Sequence, residues 1–157
     1  MIDDLLSAIQ EMVGSIADIG SFFLYSLPRG DILAPAACLE VADYIPGSDP
    51  ATGELSLIMN MELRIVVDST LPMAGTICQT LATNIANLIH LNCFGLAISP
   101  GRITRISRDY FRPELSAYVC WLIEWSHEYH LGSNVWEETG ATPHILHINE
   151  EEVFNGQ

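Results

Sequence analysis

From Leu55 to Val67 every odd-numbered position is apolar (Leu55, Leu57, Met59, Met61, Leu63, Ile65 and Val67), while Asn60, Glu62, Arg64 and Asp68 fall on even ones. Side chains of an extended chain point to alternate faces with a period of two, so this stretch is expected to be one long strand with a dry side and a wet side. Half-burial of that kind belongs to an antiparallel sheet packed on one face. A second stretch, Leu115 to Leu131, repeats the pattern, with Leu115, Ala117, Val119, Trp121, Ile123 and Trp125 against Ser116, Tyr118, Glu124, Ser126 and Glu128. It is far longer than the usual strand of about five or six residues. It therefore either runs past the edge of the domain or is bent by a bulge.

The remaining elements fit around these two strands. Ile2, Leu5, Leu6, Ile9, Met12, Val13 and Ile16 recur at helical spacing, with Asp3 and Asp4 in the first turn where they suit the helix dipole. This predicts an amphipathic helix from Ile2 to near Gly20, weakened in its middle by Gly14. Phe22 to Tyr25, followed by Pro28 and Gly30, reads equally as a short strand or an aromatic loop. Ala36 to Tyr44 reads as a strand, and the turn-rich Ile45 to Gly53 as a long hairpin loop. Ser69 or Thr70 is placed to cap a second helix with Pro72 in its first turn and an apolar stripe of Met73, Ile77, Leu81, Ile85, Leu88 and Ile89. Leu96 to Ser107, broken by Pro100-Gly101, and Pro143 to Ile148 are shorter strand candidates. Together they predict an α+β fold with a single domain over residues 1–149, a mostly antiparallel sheet, helices on one face and a long hairpin. Residues 150–157, led by Glu150, Glu151 and Glu152, form an acidic C-terminal tail that is expected to order only on a partner.

Charge narrows the function. The chain carries 20 acidic and 6 basic residues, a net charge of −14, and every basic residue is arginine. A field of that sign repels phosphate backbones and anionic lipid, which argues against a conventional nucleic-acid binder or a membrane-surface protein. It is compatible with a surface past which DNA slides without sticking. Cys38, Cys78, Cys93 and Cys120 are scattered without a paired motif and are expected to be reduced core thiols. The Met1-Ile2-Asp3-Asp4 start lacks a basic leader, and no apolar run approaches the roughly 18 residues of a membrane helix. Both features suit a soluble protein made in a cytoplasm.

Catalytic signatures do not emerge. The sequence contains no G-x-S-x-G, no phosphate-loop motif and no dinucleotide fingerprint. His127 and His130 lie near Glu124 and Glu128, and His144 and His147 follow. Residues three apart on a strand face opposite ways, so a metal site requires His127 or His130 to meet His144 or His147 across strands. No metal, cofactor or catalytic residue is expected. Four of the six arginines, Arg102, Arg105, Arg108 and Arg112, cluster before Glu114. They pair with surplus carboxylates within the chain, dock on an acidic surface of a neighbour or, as the least favoured alternative, contact phosphate. Trp121 is expected in the core, whereas Trp125, Tyr129 and Trp136, near the end of the last long strand, are candidate partner anchors.

Several segments taken together resemble phage tail terminator proteins, the family that includes the minor tail protein U of lambda and its counterparts in contractile-tailed phages. They are the N-terminal helix, Ala34-Pro35-Ala36-Ala37-Cys38-Leu39-Glu40, the Asp49-Pro50-Ala51-Thr52-Gly53 turn, and Leu63-Arg64-Ile65-Val66-Val67. The helix Ala74 to Leu91, Tyr118 to Trp125, and Trp136-Glu137-Glu138 followed by Pro143 complete the layout. The resemblance implies a non-enzymatic subunit of a hexameric ring on the head-proximal end of the tail tube. Such a ring arrests tube polymerisation and offers a docking face to the neck or connector protein, with genomic DNA passing through its lumen. It also implies tail tube protein as a partner, sheath protein in a contractile tail, and a place in the virion tail after assembly in the host cytoplasm. The alternatives are another neck, head-completion or tube-like subunit, and, from a different class, a small metal- or acid-dependent hydrolase.

Overall fold

The two alternating stretches are the central pair of a five-stranded sheet. The computed structural model describes residues 1–16, 18–28, 30–110 and 117–136, with the backbone alone of 145–148 and 151–155. In chain order the elements are α1 (Ile2–Gly14), β1 (Ser21–Leu24), β2 (Ala36–Pro46), β3 (Leu55–Asp68) and α2 (Ala74–Ile89), then β4 (Arg102–Arg108), β5 (Tyr118–Leu131), β6 (Ile145–Ile148) and β7 (Glu151–Asn155). The sheet order is β1-β2-β3-β5-β4, and β6 and β7 form a separate two-stranded hairpin. All neighbours in the large sheet are antiparallel except β1 with β2. The fold is α+β, as the alternation requires.

β3 and β5 pair without interruption from Leu55 opposite Leu131 to Asp68 opposite Tyr118. At about 3.4 Å per residue this ladder is roughly 45 Å long. Its dry face carries Met59, Met61, Leu63, Ile65, Val67, Ile123 and Trp125, all buried beneath Leu5, Leu6, Ile9 and Val13 of α1 and Cys78, Leu81, Ala82, Ile85 and Ile89 of α2. Each such aliphatic side chain stabilises the fold by roughly 1.5–3 kcal/mol on full burial. α2 begins over Ile65, whose carbonyl accepts the Cys78 thiol at 3.2 Å, and ends beside His127, near which Ile89 meets Gly101. The ladder continues past that point, so the strands overhang the end of α2.

Several local expectations are corrected. α1 stops at Gly14 instead of continuing towards Gly20, because the residue with little helix propensity falls where Ser15 can turn the chain, its hydroxyl donating to Met12 O at 2.6 Å. Ser69 and Thr70 do not cap α2. Their hydroxyls donate to Ala117 O and Asp68 Oδ1 at 2.7 Å each, and Met73, with φ 60°, occupies the cap position. The buried face of α2 is Ala74, Cys78, Leu81, Ala82, Ile85, Ala86 and Ile89, while Met73, Ile77 and Leu88 face outward. Small residues let this helix approach the sheet closely, so they and not the full stripe of large ones turn inward. The undecided aromatic segment is both strand and loop: Ser21–Leu24 pairs with β2 and the chain then leaves the sheet. The acidic tail contributes β7.

The opposite face is wet in its middle and dry at one end. Phe23, Leu27 and Ile32 cover Ala36, Val66 and Cys120 there, and Tyr118 Oη accepts the Ile32 N–H at 3.1 Å. Next to this patch the Arg64 guanidinium is buried, pairing with Glu40 of β2 and with Glu62, and donating from Nε to Asp109 Oδ2 at 3.1 Å. Burial alone would lower the Arg64 pKa, but the hydrogen bond and charge of Glu40 and the neighbouring Glu62 and Asp109 raise it instead. The arginine thus ties β2, β3 and the residue that follows β4. Arg64→Ala leaves three carboxylates crowded together, and removal of one partner from a buried charge network costs about 3–5 kcal/mol. Urea denaturation is expected to show a loss of that size, with Arg64→Lys only partly restoring it because an ammonium lacks the planar fork.

Candidate assembly surface

β4 is the outer strand of the sheet and holds Arg102, Arg105 and Arg108 exposed. In a regular strand Arg102 and Arg105, three apart, would face opposite ways. The register shifts between Ile103 and Arg105, so that Arg102 lies opposite Ser126 and Arg105 opposite Glu124, both on the wet face. Arg105 Nε lies 3.7 Å from Glu124 Oε2. Arg108, opposite Trp121, points to the other side and stacks over the Tyr110 ring at 4.8 Å. The structure therefore unites Arg102 with Arg105 and separates Arg108 from them. Arg112 lies outside the described residues.

The far side of the sheet mirrors this with opposite charge. β1 covers β2 only from Ala36 to Leu39, leaving the stretch from Glu40 to Pro46 at the edge. A register shift between Val41 and Asp43 puts Glu40 opposite Glu62 and Asp43 opposite Asn60, again on the wet face, where Asn60 Nδ2 donates to Asp43 Oδ1 at 2.6 Å. Neither shift is readable from residue periodicity. Between them lies a cleft of about 160 Å³ lined by Ala42, Asp43, Asn60, Glu62, Thr104 and Glu124, among others. With Glu128 further along β5, the face forms an acidic band ending at two arginines.

The overhanging end of the ladder is apolar. Ile45, Leu55, Leu131, Val135 and Trp136 are exposed there. Trp136 is 76% exposed, yet its Nε1 donates to Ala51 O at 2.9 Å and the Val135 N–H donates to Thr52 O at 2.9 Å, fastening the β5 exit to the hairpin loop. Tyr129, half-buried, meets Tyr44 edge to face at 6.5 Å. Trp125 is a correction: at 1% exposure it belongs to the chain's own core, because α2 extends over its row. Trp121 packs against that core, as expected.

The histidines take separate roles. His127 and His130 face opposite ways, His127 buried and His130 exposed. The His127 Nδ1 donates to Ser99 O at 2.8 Å and its ring meets Phe94 edge to face. Ser99 also grips β5 directly, its N–H donating to Glu128 O at 2.7 Å and its Oγ accepting the Glu128 N–H at 2.6 Å. Gly101 makes room for this packing, since a Cβ there would lie 2.5 Å from Ile89 O and 3.2 Å from His127 Cε1. His130 Nδ1 lies 3.9 Å from Glu54 Oε2 in an open cleft of about 610 Å³ that Glu128 also lines, though Glu128 Oε1 accepts the Ser56 hydroxyl at 2.6 Å. His144 and the side chain of His147 lie outside the described residues. Among the described residues no group of three His, Cys, Asp or Glu side chains is placed to hold a metal. The four cysteines are thiols, not disulfides, and burial pushes the Cys78 thiol up to about 12.

No family model matches the chain, and no curated protein matches it. Among solved structures it is similar to the sheath/tube terminator of an extracellular contractile injection system, PVC, in its extended state. The TM-score is 0.42 with 12% identity, covering 91% of this chain and 60% of that one. The chain thus spans less than two thirds of the length of that terminator.

Burial lowers the His127 pKa from its ordinary 6.5, outweighing the Ser99 bond. The fold holds the ring neutral while the unfolded chain binds a proton, so stability is expected to fall as pH drops below 6.5. Denaturation midpoints measured from pH 8 to pH 5 should decline in the wild type. The decline should be shallower in His127→Gln, and an equal decline in both would assign it to other groups.

Proposed function

We propose that this chain is a structural subunit of a phage-like tail, a tail terminator that closes into a ring, hexameric as the family resemblance implies, on the end of the tail tube. There it halts tube growth and presents a docking face to the neck or connector protein, and to the sheath where the tail contracts. The observation that carries this reading is the division of one sheet into an acidic face, an arginine-bearing edge and an apolar overhang. A band built from Glu62, Glu124 and Glu128 lining a lumen repels the phosphate backbone, so DNA passes without being held. The overhang, with Trp136 at its tip, has the character of a protein-docking patch: apolar and rimmed by Glu54, Asp49 and His130. Its place at the end of the strands suits contact along the tube axis rather than around the ring.

Mass determination in solution, with and without purified tail tube, tests the reading. The expected result is a closed ring of defined mass that binds tube ends and stops their elongation. A strict monomer that leaves tube growth unaffected would sink it. Trp136→Ala combined with Leu131→Asp is expected to weaken tube capping by at least about tenfold, since anchors of this type commonly contribute 2 kcal/mol or more. The ring itself should persist in that variant.

A further inference from the structure

Resting on the ring reading above, we infer that the β4 edge of one copy pairs antiparallel with the 40–46 edge of β2 in the next copy, Arg102 opposite Asp43 and Arg105 opposite Glu40, to make one sheet that continues around the ring.

The two edges are matched in height, face, spacing and direction. Arg102, Ser126, Asn60 and Asp43 form one row across the sheet, and Arg105, Glu124, Glu62 and Glu40 form the next. The basic and acidic residues therefore sit at equal levels on opposite borders. Rotation about an axis running along the strands brings such rows into register. All four side chains lie on the wet face, because each border strand has its register shift between the same two rows. The spacing from Arg102 to Arg105 equals that from Glu40 to Asp43, so an antiparallel ladder that matches one pair also matches the other.

Strand direction agrees with this pairing. β2 and β5 run one way and β3 and β4 the other, so under cyclic symmetry the β4 of one copy meets an oppositely directed β2. That is the arrangement with perpendicular, closely paired hydrogen bonds. β1 blocks the ladder at Leu39, whose carbonyl already accepts the Tyr25 N–H at 2.8 Å, which limits the contact to the open stretch.

Charges and bulges on edge strands ordinarily prevent edge-to-edge association. Here they do so selectively. Two β4 edges would oppose arginine to arginine, and two β2 edges would oppose carboxylate to carboxylate. Only the β4-to-β2 contact is attractive. A contact between two different surfaces of identical subunits is head-to-tail, and it closes into a ring when the rotation permits. In a chain of net charge −14, whose copies otherwise repel one another, this is also where self-association gains most from Coulomb attraction.

A charge exchange tests the pairing. Arg102→Glu should reduce the ring to monomer in size-exclusion chromatography with light scattering, and Asp43→Arg alone should do the same. The chain carrying both substitutions should reassemble, which separates a lost contact from a damaged fold. As a second readout, Ala42→Cys with Thr104→Cys and a short bis-maleimide should give a ladder of covalent multimers on denaturing gels, absent from either single variant. A ring that survives either reversal, or a paired exchange that fails to restore it while the wild type assembles, overturns the edge pairing and leaves the terminator reading standing. A wild-type chain that neither assembles nor caps tubes overturns both.

Discussion

The wet face of the sheet depends on Arg64. A long antiparallel ladder with carboxylates at neighbouring positions would repel itself apart along one side, and the Arg64 guanidinium is what holds Glu40, Glu62 and Asp109 together. It does so across strands that are distant in sequence, joining the β2–β3 hairpin to the end of β4. Three carboxylates around one guanidinium still leave the cluster negative. The same interaction therefore stabilises the fold and preserves the acidity of the surface. A neutralised cluster would have removed that electrostatic character.

Around that keystone the sheet is used on every side. Its dry face is taken up by α1 and α2, its wet face is left acidic, its two borders carry opposite charge, and its far end is apolar. These assignments do not compete, because each belongs to a different direction in space. Helices confined to one face leave the other free, and strands longer than the helix that covers them leave an end free. The length of β3 and β5 thus decides how much of the sheet is left uncovered.

The alternation from Leu55 to Asp68 and in β5 made the sheet, its buried face and its antiparallel pairing legible in the sequence. Ala36 to Tyr44 and the turn residues from Ile45 to Gly53 made the hairpin legible too, although β2 runs on to Pro46. What sequence periodicity does not carry is the identity of partners. Glu40 and Asp109 reach Arg64 from distant positions, and no local pattern announces them. Nor does periodicity locate a bulge: Arg102 and Arg105 looked like members of one four-arginine patch, yet it is Thr104 that sets them on one face and leaves Arg108 on the other. Trp125 and Trp136 illustrate the same gap. Both are large aromatics near the end of a strand, and only the position of α2 decides that one is core and the other surface. In α2 itself the stripe of large residues was a weaker guide than the demand for close approach, which turned alanines and Cys78 inward.

The register shift at Thr104 sets thermodynamics and recognition at odds within one residue. A β4 in which Thr104 paired like its neighbours would run beside β5 in an unbroken ladder, with one fewer unpaired backbone position, and judged as an isolated strand it would be the tidier one. It would also move Arg102 across to the helix side and erase the face it shares with Arg105. A register shift of this kind gains the isolated strand nothing, and what it alters is the surface that the chain presents to others.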